Sequence, residues 1–151
     1  MPAPPPASGA DGETAARTLP ALERDTAFFW TAGAQGLLLI ARCGTCGHYQ
    51  HPPFPRCPAC GSDAVRPEPV SGKARVASFT INRQRWTQGL AAPFVFAAVE
   101  LAEQPQLYLF TNIVGCPVEE VRIGMPVAVT FERHGDVHLP MFRPDGGGDG
   151  W

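Results

Sequence analysis

The hydrophobic pattern changes twice along the chain, and each change marks a different kind of structure. Met1 to Arg17 is Pro-, Ala-, Gly- and Ser-rich with almost nothing to bury, so residues 1–17 are expected to be a disordered tail. From Thr18 to Ala32, Leu19, Leu22, Thr26 and Phe29 recur at helical spacing, which predicts a helix ending at Gly33 within an N-terminal unit of residues 18–36. Phe28 and Trp30 lie off that stripe. Such a helix either packs on its own domain or docks on a partner protein. Gly36 to Arg42 predicts a short strand, and Val65 to Gly72, with Pro67 and Pro69, reads as a connector.

From Lys73 onward the period is that of strands. Lys73–Arg85 alternates, with Ala74, Val76 and Ser78 on one side and Arg75, Ala77, Phe79 and Ile81 nearer the other. Phe94–Leu101 is almost wholly apolar, as expected of a strand buried on both faces. Gln106–Val114 is a third strand. Val127–Arg133 and Val137–Phe142 form a hairpin around His134-Gly135-Asp136. Between the third and fourth strands, Cys116-Pro117-Val118-Glu119-Glu120-Val121 predicts a short helix, with proline at its start and acids in its first turn. Five strands with one small helix in that position is the order of an OB-fold barrel. The expected architecture is mainly β: an N-terminal helix, a rubredoxin-like zinc ribbon with its connector at 37–72, a five-stranded OB barrel at 73–144, and a second disordered tail at 145–151.

Composition agrees with a loop-rich β protein. The chain has 151 residues, 44% hydrophobic and only 17% charged, with 16 Gly and 17 Pro. A net charge of −2 argues against a protein that coats nucleic acid. The longest apolar stretch near the start, Leu37 to Ala41, is far too short to span a membrane. The first residues lack the order of a secretory signal, so a cytoplasmic location is expected.

In a reducing compartment paired CxxC motifs point to metal rather than disulfides. Cys43 and Cys46 form one pair, Cys57 and Cys60 the other, ten residues apart. Glycines after each pair, Gly47 and Gly61, permit the positive φ of a tight turn that brings both sulfurs to one ion. Two such turns make a closed tetrahedral four-thiolate site for structural Zn2+, with iron as the rival metal. Arg42 and Arg56 each precede a cysteine and are placed to offset the excess negative charge. His48 and His51 lie between the pairs and read as solvated loop residues.

Other chemistry is sparse. Cys116 precedes the short helix, where a dipole would favour its thiolate, but no histidine is near it in sequence. It is either a small residue at a helix start or, on an enzymatic reading, a nucleophile; that reading uses Cys116 or a histidine. His134 and His138, beside a hairpin turn, and Glu100 and Glu103, at a strand end, are expected to be solvated. Arg83, Arg85 and Trp86 are the only basic-aromatic cluster. They suit single-stranded nucleic acid, the phosphates of an acyl-CoA, acidic groups of a partner, or a solvated strand end. Between Lys73 and Arg143 seven Lys/Arg face six Asp/Glu, too even for a nucleic-acid groove.

Several stretches together resemble a known family: Phe28-Phe29-Trp30, Gly36-Leu37-Leu38, Cys43-Gly44-Thr45-Cys46 and Cys57-Pro58-Ala59-Cys60-Gly61. They continue with Ser71-Gly72-Lys73-Ala74, Pro93-Phe94-Val95, Ile123-Gly124-Met125-Pro126-Val127 and Phe142-Arg143-Pro144. From about Asp25 to Pro144 the chain resembles the acyl-CoA-associated zinc-ribbon/OB-fold family, domain of unknown function thirty-five. The resemblance implies an auxiliary subunit of a thiolase-fold enzyme, in some relatives with a MaoC-type hydratase. It also implies a retro-aldolase role in steroid side-chain degradation, with catalytic groups mainly in the partner. Phe28, Trp30, Trp86 and Phe142 are the expected partner anchors, and Arg83 and Arg85 the expected acyl-CoA contacts. Where relatives often carry an acidic-glycine turn after the second barrel strand, this chain has Leu101-Ala102-Glu103-Gln104-Pro105.

Overall fold

The computed structural model describes residues 17–85 and 91–146. Most of the two terminal tails and Trp86 therefore lie outside the described residues.

The N-terminal helix is much shorter than its periodicity predicts. Only α1, Ala27–Thr31, is α-helical; a 3-10 turn, Ala32–Gln35, follows and ends at Gly36 with φ 74°. Residues 18–23 are irregular, and Leu19 and Leu22 stay 41% and 45% exposed. A leucine stripe needs a surface to bury against, and among the described residues this one is only partly covered. The segment is held by its first residue instead: Arg17 Nε lies 2.7 Å from Glu132 Oε1, and its Nη1 donates to Asn112 Oδ1 at 3.3 Å. Phe29 enters the core. Trp30 meets it edge-on at 4.7 Å and packs against Val137, Leu139 and Met141. The 3-10 turn sits so close to the barrel that a Cβ on Gly33 would lie 2.5 Å from His138 Cβ and 2.6 Å from the Phe131 ring.

A three-stranded sheet follows, in the order β2-β1-β3, from β1 (Leu38–Cys43), β2 (Tyr49–Gln50) and β3 (Val65–Val70). The expected connector is thus a strand: it pairs with β1 from Leu38↔Val70 to Cys43↔Val65. Pro67 and Pro69 hid it from sequence reading. Two residues apart on an edge strand, they are tolerated because the missing N–H groups fall on the unpaired side.

The barrel consists of β4 (Lys73–Asn82), β5 (Phe94–Leu101), β6 (Tyr108–Ile113), β7 (Pro126–His134) and β8 (Val137–Pro144). It closes in the order β4-β5-β6-β8-β7, with β4 pairing with β7. The β6–β8 pair is parallel and the others antiparallel, as in an OB fold. The helix expected between β6 and β7 is a single 3-10 turn, Val118–Glu120. Two strand expectations are corrected. A bulge between Val76 and Ser78 reverses the phase of β4, so Ser78 points out while Ala74 and Val76 point in. β5 is not buried on both faces: Val95, Ala97, Val99 and Leu101 are buried, but Phe96 is 47% exposed. Apolar outward positions made a one-sided strand look two-sided.

The loop after β5 ties ribbon to barrel. The Gln104 side chain accepts from Tyr49 N–H at 2.9 Å and donates to Tyr49 C=O at 3.0 Å, pairing with β2 as a strand residue would. Glu103 accepts from Ser71 N–H at 2.8 Å. Glu100 accepts from Gln106 N–H at 2.8 Å. The two carboxylates expected to be solvated are half-buried and engaged. Leu38, Ile40 and Tyr49 join Val95, Val99, Leu109 and Phe142 in one core, so ribbon and barrel share their apolar interior.

Candidate metal centre and neighbouring sites

Each cysteine pair lies in a turn built the same way. Cys43 N–H donates to His48 C=O at 2.8 Å, and Gly47 N–H returns to Cys43 C=O at 2.9 Å. Cys57 N–H donates to Ser62 C=O at 2.8 Å, and Gly61 N–H returns to Cys57 C=O at 2.8 Å. Gly47 and Gly61 have φ of 81° and 78°, the left-handed geometry the turn requires. Within these turns Thr45 and Cys46 N–H groups point at Cys43 Sγ (3.3 and 3.4 Å), and Ala59 N–H at Cys57 Sγ (3.4 Å). Donors aimed at a sulfur favour its thiolate, and the Cys46 N–H chiefly lowers the Cys43 thiol to about 6.

The four sulfurs converge. Cys43 Sγ lies 3.7 Å from Cys60 Sγ and Cys46 Sγ 3.6 Å from Cys57 Sγ, and all four lie within 4.8 Å of one another. A tetrahedron of zinc–sulfur bonds of about 2.3 Å has edges of roughly 3.8 Å, which the Cys43–Cys60 and Cys46–Cys57 separations match, so the donor set suits zinc. Cys43 and Cys57 are buried while Cys46 and Cys60 are exposed. Arg42 and Arg56, expected to offset the thiolate charge, brace the turns. Arg42 Nε donates to Gly47 C=O at 2.9 Å and Arg56 Nη1 to Gly61 C=O at 3.2 Å. Arg42 also lies over the Tyr49 ring at 4.6 Å and pairs with Glu68 at 3.2 Å.

The other candidate residues scatter. Phe142 is fully buried inside the barrel and cannot serve as a partner anchor. Phe28 and Trp30 are half-buried. Arg83 and Arg85 are exposed after β4. On the outer face of the barrel, Phe96, Tyr108 and Phe110 are exposed by 47%, 43% and 72% on neighbouring strands β5 and β6, and Phe54 in the ribbon is 52% exposed. The Phe96 and Phe110 rings stack at 5.9 Å. Outward alternation along β6 was the sequence signal for Tyr108 and Phe110. Cys116 departs from the thiolate expectation: burial and then the Glu120 charge push its thiol up, and a single 3-10 turn supplies little dipole.

Of the histidines expected to be solvated, His134 is buried and His48, His51 and His138 are half-buried. His134 Nε2 lies 2.6 Å from Glu132 Oε1, the oxygen that also faces Arg17. His51 lies 4.7 Å from the Phe29 ring, and burial lowers it from 6.5 to about 4. The unfolded chain therefore takes up this proton before the folded one does. Its contribution is complete above the unfolded value and is lost as pH falls from 6.5 towards 4. Urea titrations at pH 7 and pH 5 should show about 1–2 kcal/mol more acid destabilisation in the wild type than in His51→Phe. Equal losses in the two proteins would contradict a half-buried imidazole held neutral.

With this geometry in place, comparison with known proteins decides the family. The ChsH2 rubredoxin-like zinc ribbon domain matches residues 30–66, and the ChsH2 C-terminal OB-fold domain matches residues 67–132. A DUF35 domain-containing scaffold protein of Methanocaldococcus jannaschii is 33% identical over 98 residues, 64% of this chain and 68% of that protein. The chain belongs to the DUF35 family. A probable enoyl-CoA hydratase alpha subunit of Thermomonospora curvata is 38% identical over 131 residues, 86% of this chain. The 3-oxo-4,17-pregnadiene-20-carboxyl-CoA hydratase alpha subunit of Mycobacterium tuberculosis is 34% identical over 126 residues, 83% of this chain. This DUF35 chain spans 40% of the length of each of those two hydratase subunits. Among solved structures, a chain of the "Ltp2-ChsH2(DUF35) aldolase" matches with TM-score 0.76 and 37% identity, over 83% of this chain and 98% of that one. The four-cysteine cluster is thus set in a rubredoxin-like zinc ribbon, ahead of a closed OB barrel. Among the described residues no helix is long and apolar enough to cross a membrane.

Proposed function

We propose that this chain is the non-catalytic zinc-ribbon/OB subunit of an acyl-CoA aldolase. It binds an Ltp2-type partner of thiolase fold, stabilises it and helps form its acyl-CoA channel. The complex is a retro-aldolase of steroid side-chain degradation and works beside a MaoC-type hydratase. The observation that carries this reading is the likeness to the ChsH2 chain of the Ltp2-ChsH2 aldolase, which extends over 98% of that chain. The hydratase-subunit relatives add the acyl-CoA and steroid context. The site chemistry agrees with an accessory role. A closed four-thiolate cluster has no open coordination position for substrate, and Cys116 stays protonated at neutral pH because burial and Glu120 raise it.

In this reading Cys43, Cys46, Cys57 and Cys60 hold the structural zinc, Phe28 and Trp30 contribute to docking, and Arg83, Arg85 and Trp86 meet the partner or the CoA phosphates. Expressed alone, the aldolase partner is expected to be insoluble or inactive. Co-expression should yield a complex that co-purifies through a tag on this chain and cleaves the hydroxyacyl-CoA. A soluble, fully active aldolase without this chain would overturn the proposal.

A further inference from the structure

We propose that a cavity between the N-terminal segment and the outer face of β5 and β6 is a binding site for the ring system of a 3-oxo steroid, with His51 as its polar contact. The cavity measures about 530 Å³, within the range of roughly 300–1,000 Å³ typical of small-molecule sites. Its walls include Phe29, Trp30, Phe96, Phe110 and Met141. Such walls suit a rigid, flat, apolar body: aromatic faces and a thioether give broad dispersion contact without fixing a single hydrogen-bond pattern.

The polar side chains around it are mostly engaged elsewhere. Thr111 Oγ1 donates to Pro140 C=O at 2.9 Å, Asn112 Nδ2 donates to Val95 C=O at 2.9 Å, and Arg17 pairs with Glu132. His51 differs. Among the described residues no protein group hydrogen-bonds its ring, which rests on Phe29 at 4.7 Å. Burial keeps the imidazole neutral at pH 7, so it carries one N–H donor and one lone pair. A ligand with an apolar body and a single carbonyl matches that inventory. An anionic ligand does not, because the guanidinium of Arg17 is already committed to a carboxylate. The choice of a 3-oxo steroid over another apolar ketone rests on the function proposed above. The site would hold the ring end of the substrate while the thioester end reaches the partner's catalytic groups.

The test uses the full chain with its zinc, without the partner. The probes are 4-pregnene-3,20-dione and the same steroid lacking the 3-oxo group. Calorimetry, together with quenching of Trp30 fluorescence in a variant carrying Trp86→Phe and Trp151→Phe, should show saturable binding of both steroids. His51→Phe should weaken the 3-oxo steroid about fivefold to tenfold and leave the 3-deoxy steroid nearly unchanged, the signature of one lost hydrogen bond. Phe110→Ala, at a position already 72% exposed and so of small consequence for folding, should weaken both steroids equally. Absence of saturable binding, or equal effects of His51→Phe on both probes, would overturn the site. Co-purification of the same variants with the aldolase is measured separately. No steroid binding by the wild-type chain, with co-purification intact, removes the site and spares the subunit role; saturable steroid binding by a wild-type chain that does not co-purify removes the subunit role and spares the site.

Discussion

Removing the metal with a strong chelator is expected to unfold residues 44–64 and to lower the melting temperature by about 10 °C or more. Between Gly44 and Ala64 the buried residues are Tyr49, Gln50 and Cys57, and the last of these is a metal ligand. One tyrosine and one glutamine cannot offset the entropy of ordering some twenty residues at about 1–2 kcal/mol each. The four-thiolate ion supplies what the segment lacks, about 10 kcal/mol or more in isolated zinc modules. The loss reaches the barrel because β2 is held by Gln104, and Leu38 and Ile40 of β1 sit in the shared core. Hydrogen exchange at the Tyr49 amide, which donates to Gln104, reports that coupling directly. Cys57→Ser should reproduce the effect with loss of zinc by elemental analysis, whereas Cys116→Ser should change neither quantity. A chelated protein with unchanged melting and an equally protected Tyr49 amide would show that the ribbon folds without its ion.

The metal cluster was legible in the sequence because its determinants are local: two cysteines and a following glycine specify each turn. The barrel order was legible because five apolar runs and one proline-started turn leave few topologies. What escaped depends on distant partners. β3 was masked by Pro67 and Pro69, which are acceptable only because β1 flanks the strand on one side. The β4 bulge inverts the side chains beyond Val76, and its position is set by pairing with β5. The Leu19–Leu22 stripe has helical spacing, but among the described residues it is only partly covered. His51 appeared to be a loop histidine because nothing local shows that Phe29, more than twenty residues earlier, closes over it. The departure at Leu101–Pro105 carried more information than its sequence suggested, since Gln104 and Glu103 are the residues that grip the ribbon and its connection to the barrel.

Phe142 provides the other large expected effect, and it separates core from surface among the aromatics. Its ring is fully buried, β8 places it opposite Val129 and Ile113, and it shares the core with Leu38, Ile40 and Val95. Truncation at such a site removes the ring's transfer energy and leaves a cavity that a closed barrel cannot easily collapse into. Phe142→Ala is therefore expected to cost about 3–5 kcal/mol, equivalent to roughly 10 °C or more for a domain of this size. Because the site lies where β6 meets β8 and β8 meets β7, the loss should appear as cooperative unfolding of the whole barrel. Phe110→Ala provides the contrast: a 72% exposed ring forfeits little on truncation, and its melting should stay within about 0.5 kcal/mol of wild type. Denaturant titrations of the two zinc-loaded variants measure the difference. If Phe142→Ala were no less stable than Phe110→Ala, the inward register of β8 would be wrong, and the assignment of Phe96, Tyr108 and Phe110 to the outer face would fall with it.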